Sequence, residues 1–334
     1  MNTDPLHSTP PGAQPARAPA RRAWRLAAPL ACVALAFAST TAFAQDNAPA
    51  EASAQPNAQP SAQQDAAPAA ASPSGNAAAE VGKLSLEQQV RWLQRAQKTG
   101  ALAKMSDAQL TALFQAFDPV VVPALIQLGP SGYPSYEFVL SRWERLNGKW
   151  PSKPAHMLVK LTHDPLRIYA KWLPDGEHSG EEVIYDASRR TDQMYGHLGG
   201  LLGVMPMWTA LDGSLARSQS NHKITDLGTE FIVGQFMTDA KKYVEVGAPY
   251  KPQVEVRTIG GVRVVALTYD SPVGKPQFHA KKQTLGLDLR RPYFRTVEAY
   301  DNDGQIFEKI VIESITPKTF EADAFDPKNP DYKF

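Results

Sequence analysis

Residues 156–176 read HMLVKLTHDPLRIYAKWLPDG, and the alternation inside that stretch decides the fold class. Met157, Val159 and Leu161 fall on one face of an extended segment, and Leu166, Ile168, Ala170 and Trp172 fall on one face of the next. A period of two is that of a half-buried strand. Only a few residues separate the two runs, and Pro174-Asp175-Gly176 turns the chain again. Strands joined so briefly pair antiparallel, because a parallel pair needs a crossover of about a dozen residues or more.

The same pattern continues on both sides. Tyr136 to Leu146 is rich in aromatic and aliphatic residues and ends at Asn147-Gly148, a strong hairpin signal. Val183–Ala187, Gln193–His197, Val254–Thr258, Val262–Tyr269, Lys281–Leu289, Tyr293–Tyr300 and Ile306–Ile315 complete a set of about ten strands. Asn302-Asp303-Gly304 joins the last two as a hairpin. One long helix interrupts them. Asp226 is placed to cap a run to about Val244, whose Phe231, Ile232, Val233, Phe236, Met237, Ala240 and Tyr243 form a broad apolar stripe. The expected fold is α+β: one strongly curved antiparallel sheet, an incomplete barrel, covered on its concave side by helices.

A small helical region, 83–130, precedes the sheet. Ser85 followed by Gln88 has the spacing of a capping box, and Leu86, Val90 and Leu93 continue at helical spacing to a stop at Gly100. A second helix begins at Ser106 or Asp107, carries Leu110, Leu113, Phe114 and Phe117 on one face, and closes at Asp118-Pro119. Val120 to Leu128 forms a third short turn of helix before Gly129-Pro130. These helices and the sheet region 131–334 are expected to make one folded domain.

The first 82 residues read differently. Arg17, Arg21, Arg22 and Arg25 precede an apolar run from Leu26 to Phe37, then Ala42-Phe43-Ala44, the three-part order of a secretory signal. Residues 1–44 are therefore expected to be a signal peptide cleaved after Ala44, with a periplasmic mature chain. The apolar run is shorter than the roughly 20 residues that span a membrane. Arg21-Arg22 continues poorly as a twin-arginine signal, and Pro29-Leu30-Ala31 is a poor lipidation context for Cys32. If the signal stays attached, residues 45–82 become a membrane-anchored leash. That segment is almost wholly Ala, Pro, Gln, Ser and Asn, too poor in large apolar side chains to offset the entropy of ordering, and is expected to be a disordered linker.

Cys32 is the chain's single cysteine, so the mature protein has neither disulfide nor thiol chemistry. With 35 basic and 34 acidic residues the whole chain is nearly neutral, and no basic stripe advertises nucleic acid. Six histidines lie beyond the signal (156, 163, 178, 197, 222 and 279), none in a close metal-ligand spacing. Ser131 sits in Gly-Pro-Ser-Gly, not in a nucleophile elbow. Arg142, Glu144 and Arg145 read as a solvated sheet face. No catalytic residue, metal ligand or cofactor is assigned.

The run Gly196-His197-Leu198-Gly199-Gly200-Leu201-Leu202-Gly203 lacks the Lys-Ser/Thr of a phosphate loop, and export argues against a nucleotide. It threads Leu198, Leu201, Leu202, Met205 and Trp208 between glycines. Glycine supplies backbone freedom and methionine adaptable apolar surface, so this is either an apolar flap hinged at Gly199, Gly200 and Gly203 or a loop packed into the core. Met157, Trp172, Phe231 and Phe236 would line a cavity beneath such a flap.

Tyr136-Glu137-Phe138, Trp143 to Lys149, Pro165 to Tyr169 with Lys171-Trp172, His197 to Gly203, Ile224 to Gly228, Tyr300 to Gly304 and Phe325 to Tyr332, in that order, resemble the bacterial family of domain of unknown function 1571 over roughly 133–334. That family looks like a relative of the periplasmic LolA, LolB and RseB proteins. The resemblance implies a half-barrel closed by helices over an apolar cavity. It further implies a non-enzymatic binding protein holding a lipid or acyl chain, as carrier or sensor. The alternative is an interaction module for an envelope protein, and a hydrolase ranks last.

Overall fold

The computed structural model divides into two units, Met1–Asp65 and Ala66–Phe334. It describes residues 77–128, 133–200, 203, 205–248, 250–272 and 278–334, all in the second unit. The expected signal peptide and most of the expected linker lie outside the described residues.

Among the described residues five short helices come first: α1 (Ala77–Gly82), α2 (Leu86–Lys98), α3 (Ala101–Lys104), α4 (Asp107–Ala116) and α5 (Val121–Ile126). Ser85 and Ser106 each close a capping box, with Gln88 and Gln109 respectively. Helix α1 falls within the stretch read as linker. Its Ala-Ala-Ala-Glu composition favours helix once Val81 finds a place in the core.

Eleven strands follow: β1 (Ser135–Glu144), β2 (Ala155–His163), β3 (Leu166–Trp172), β4 (Glu182–Asp186), β5 (Gln193–His197), β6 (Met207–Ala210), β7 (Gln253–Ile259), β8 (Val262–Asp270), β9 (Lys282–Asp288), β10 (Phe294–Tyr300) and β11 (Ile306–Pro317). They form one open antiparallel sheet in the order β6-β5-β4-β3-β2-β1-β11-β10-β9-β8-β7. Each half is a meander, and the two halves join where β1 pairs with β11. Asn147 and Gly148 take φ of 50° and 76° in a two-residue turn bridged by Leu146 and Lys149, as the Asn-Gly pair predicts.

Between β6 and β7 run α6 (Ser214–Gln219), a 3-10 turn (Ile224–Asp226) and α7 (Thr229–Glu245), which carry the chain from one edge of the sheet to the other. Asp226 does not cap α7. It caps the 3-10 turn, accepting from the Lys223 N–H at 3.0 Å. Gly228, at φ 111°, breaks the chain before the helix, and the Tyr136 hydroxyl of β1 accepts from the Thr229 N–H at 3.2 Å. A tertiary group thus supplies what a local side chain was expected to supply.

Among the described residues one main core joins the sheet to the helices, and two small clusters, around Tyr169 and Phe325 and around Ile259 and Val264, lie apart from it. Tyr136, Phe138, Leu140, Met157, Val159 and Leu161 on the sheet share it with Ile232, Phe236 and Tyr243 of α7 and with Leu93, Leu110 and Leu125 of the first helices. Those helices are pinned to the β7–β9 end. The Gln97 amide donates to the carbonyls of Asp288 and Arg291 at 2.7 and 2.8 Å, and Arg263 donates to the Met105 carbonyl at 2.9 Å.

Candidate functional site

At the other end of the sheet, α6 and the chain around it stand off from β1–β6 and leave two clefts. The larger, about 520 Å³ counted to its open mouth, is lined by Met157, Trp172, Ile224 and Leu227 among others, with Arg142, His178, His222 and Lys223. The smaller, about 420 Å³, is lined by His197, Leu198, Met205, Met207, Thr209 and Leu215 among others. Both share Glu181, Val183, Met194, Ala216 and Gln219, so they meet at a common waist. Strand alternation explains the lining: Leu140 pairs with Met157 and Met157 with Trp172, which stacks these side chains on one face across three strands.

Of the residues singled out in the sequence, Met157 and Trp172 line the larger cleft and Leu198 and Met205 the smaller. Leu201 and Leu202 lie outside the described residues. Trp208 is absent from both linings. It belongs to β6, an eleventh strand hidden in the supposed flap, where it packs on Tyr195 and lies under the Arg190 guanidinium at 4.2 Å. Phe231 packs edge-on against His222, and Phe236 is core, set against Tyr250, Tyr269 and Phe294. The apolar stripe of α7 therefore serves two regions rather than one cavity.

The glycines have different roles. Gly200 sits at φ 70°. A Cβ on Gly199 would lie 2.3 Å from the Ser179 carbonyl oxygen, and one on Gly203 2.2 Å from that of Leu198. Close backbone approach, not only conformational freedom, requires glycine at those two positions.

The floor of the larger cleft corrects the solvated-face reading of Arg142 and Glu144. Both are buried. The even-numbered residues of β1 face the core, and the final members of that series happen to be charged. Glu144 stands directly opposite Glu308 of β11, a like-charge pair that is unfavourable alone. The chain after α6 resolves it. Ser220 and the Asn221 N–H donate to Glu144 at 2.8 and 3.0 Å, Arg142 Nε lies 2.9 Å from it, and His222 Nε2 lies 2.7 Å from Glu308.

Burial alone would lower the His222 pKa. Its contacts with Asp226 and Glu308, and the Glu308 charge, outweigh that and raise it to about 9. The two imidazoles of His222 and His279 hold Glu308 well below the usual carboxylate range against the opposing effect of burial. Ligand atoms of Glu144, His222 and Glu308 lie within 4.8 Å of one another, the spacing of a metal site. The set is already supplied with a cation: Arg142 Nε lies 2.9 Å from Glu144, the place a metal ion would take beside that carboxylate. The cluster is a charge-balanced latch between the sheet and residues 220–226.

Residues 133–334 match the family described as protein of unknown function DUF1571, and the chain belongs to that family. Among curated proteins none matches it. Solved structures similar to it include an uncharacterized conserved protein from Thermus thermophilus (6% identity, TM-score 0.35, 64% of this chain and 94% of that one). A LolA superfamily protein from Nitrosomonas europaea is similar at 8% identity and TM-score 0.25, over 61% of this chain and 95% of that one. The lipoprotein LppX of Mycobacterium tuberculosis is similar at 10% identity and TM-score 0.32, over 61% and 98%.

Proposed function

We propose that this member of the DUF1571 family is a non-enzymatic, exported binding protein of the cell envelope that holds a lipid or acyl chain in the joined clefts beneath α6. The observation that carries the reading is the apolar lining of the two adjoining clefts, to which Met157, Trp172, Val183, Met194, Leu198, Met205 and Met207 contribute. Burial of a methylene contributes about 0.8 kcal/mol, so affinity grows with the length of apolar chain that the clefts cover. Methionines suit such a lining because they repack around ligands of differing shape. The order of signal-like residues before Gln45 supports export. The test is native mass spectrometry on protein purified from cell envelopes without detergent, followed by titration with a panel of envelope lipids. A bound lipid mass, or saturable binding of one lipid class, is the expected result; a lipid-free protein that binds none of the panel refutes it.

One observation favours the alternative, an interaction module for an envelope protein. Strand β6 is a sheet edge with its outer backbone unpaired in the sheet, and Met205 just before it and Met207 and Trp208 within it are 72%, 48% and 43% exposed. Such an edge accepts an added strand from a partner. Site-specific crosslinking from position 208 in cells separates the readings, since a module yields one stable protein adduct and a lipid carrier yields none that persists.

A further inference from the structure

Glu181 lies just before β4, at the waist that the two clefts share. Its backbone is fixed by the β3–β4 hairpin: its N–H donates to the His178 carbonyl at 3.0 Å and its carbonyl accepts from Trp172 at 2.9 Å. The side chain is therefore presented to the cleft by rigid structure. The residue is 4% exposed, and its Oε2 has no hydrogen-bond partner among the described residues. Gln219 of α6 hydrogen-bonds the carboxyl; burial, the larger influence, raises its pKa to about 7.

Every other buried carboxylate among the described residues is matched to a cation, as Glu144 is to Arg142, Asp288 to Arg295 and Glu298 to Arg257. Glu181 has no such ion pair among them. A buried carboxyl with an unused oxygen is costly and contributes nothing to packing that leucine would not contribute better. The other residues shared by the clefts are apolar Val183, Met194 and Ala216 and Gln219, already bonded to the carboxyl, so none of them completes the unused oxygen.

We propose that Glu181 is a specificity residue of the cleft, and that the ligand is a lipid whose apolar chain carries a neutral hydrogen-bonding group, a hydroxyl, at the waist. This rests on the reading of the clefts as a lipid site and adds to it the chemistry of the ligand. A cationic group would have to shed its water to enter this apolar waist, a cost that a single buried carboxylate scarcely repays. An anionic group is disfavoured by Glu181 itself. A hydroxyl both donates and accepts, so it satisfies the carboxyl whether or not the proton is present. Apolar burial then supplies affinity, and the single polar contact supplies discrimination, the arrangement by which a site built to bond a hydroxyl rejects the analogue that lacks it.

The test uses three neutral probes: methyl octadecanoate and its 3-hydroxy and 12-hydroxy derivatives, titrated into the purified protein with tryptophan fluorescence as the signal. The expected result is that one hydroxylated ester binds the wild type about tenfold more tightly than the plain ester. Glu181→Leu should bring that preference to within about twofold, with a far-ultraviolet circular dichroism spectrum like that of the wild type reporting that the variant is folded. Glu181→Met serves the same purpose if leucine crowds the waist. Equal binding of the three esters to the wild type overturns the proposal and leaves the lipid site standing, as does a preference that survives both substitutions in a folded protein. Failure of all three to bind overturns the lipid site itself and the proposal with it.

Discussion

Replacing His222 with glutamine keeps a hydrogen-bond donor of similar reach beside Glu308 and removes the charge. In the folded protein the imidazole holds its proton up to about pH 9, against 6.5 for an unperturbed histidine. A group whose folded pKa is raised contributes stability that is fully present below the unfolded pKa and is lost as pH rises through the folded one. At 1.36 kcal/mol per unit, the contribution is about 3 kcal/mol at pH 5.5, about 2 at pH 7.5 and under about 0.5 at pH 9. Urea denaturation followed by tryptophan fluorescence at pH 7.5, 8.2 and 9 reads this directly. The window begins at 7.5 because Glu181, held up to about 7, has by then largely titrated. The wild type should lose about 1.5 kcal/mol across it, and His222→Gln should be nearly flat and start lower. Parallel curves for the two proteins would refute the latch, for they would mean that His222 carries no extra proton in the fold.

Three further outcomes follow from other contacts. Tyr136→Phe strands the Thr229 N–H at the start of α7 and should cost about 1–3 kcal/mol in urea denaturation, with faster amide exchange in the first turn of that helix. Ala216→Trp places a large ring at the waist shared by the clefts. It should abolish lipid carried through purification, as seen by native mass spectrometry, while leaving the far-ultraviolet circular dichroism unchanged. Gly199→Ala drives a Cβ against the Ser179 carbonyl and should destabilise the protein by about 1–3 kcal/mol, with new protease cleavage near residue 199 that the wild type does not show.

Much of the fold was legible because strands announce themselves locally. The alternation at 156–172 and the Asn147-Gly148 turn are properties of a few adjacent residues, and the structure keeps them where the pattern put them. Strand β6 was hidden because Met207-Trp208-Thr209-Ala210 is an edge with little burial, so no apolar and polar alternation marks it. Asp226 misled for a related reason. It is a competent cap by type, and only the distant Tyr136 hydroxyl, seated by the sheet, decides where α7 begins.

The site was half legible. Met157 and Trp172 follow from the strand faces, and Leu198 and Met205 from the apolar run among glycines. Glu181, Val183, Met194, Ala216 and Gln219 were not singled out. The nearest local hint was the small, turn-forming setting of Ser179-Gly180 before Glu181.

What the sequence by itself determined is the antiparallel sheet and the capped first helices, since each rests on the periodicity or chemistry of neighbouring residues. The tertiary structure alone decided that Arg142 and Glu144 are buried, that Glu144 meets Glu308, that His222 keeps its proton, and that Glu181 is left without a cation. Those are facts about burial and about charges brought together from opposite ends of the chain, and electrostatic energy depends on distance through space and on exclusion of water, neither of which is written in local order.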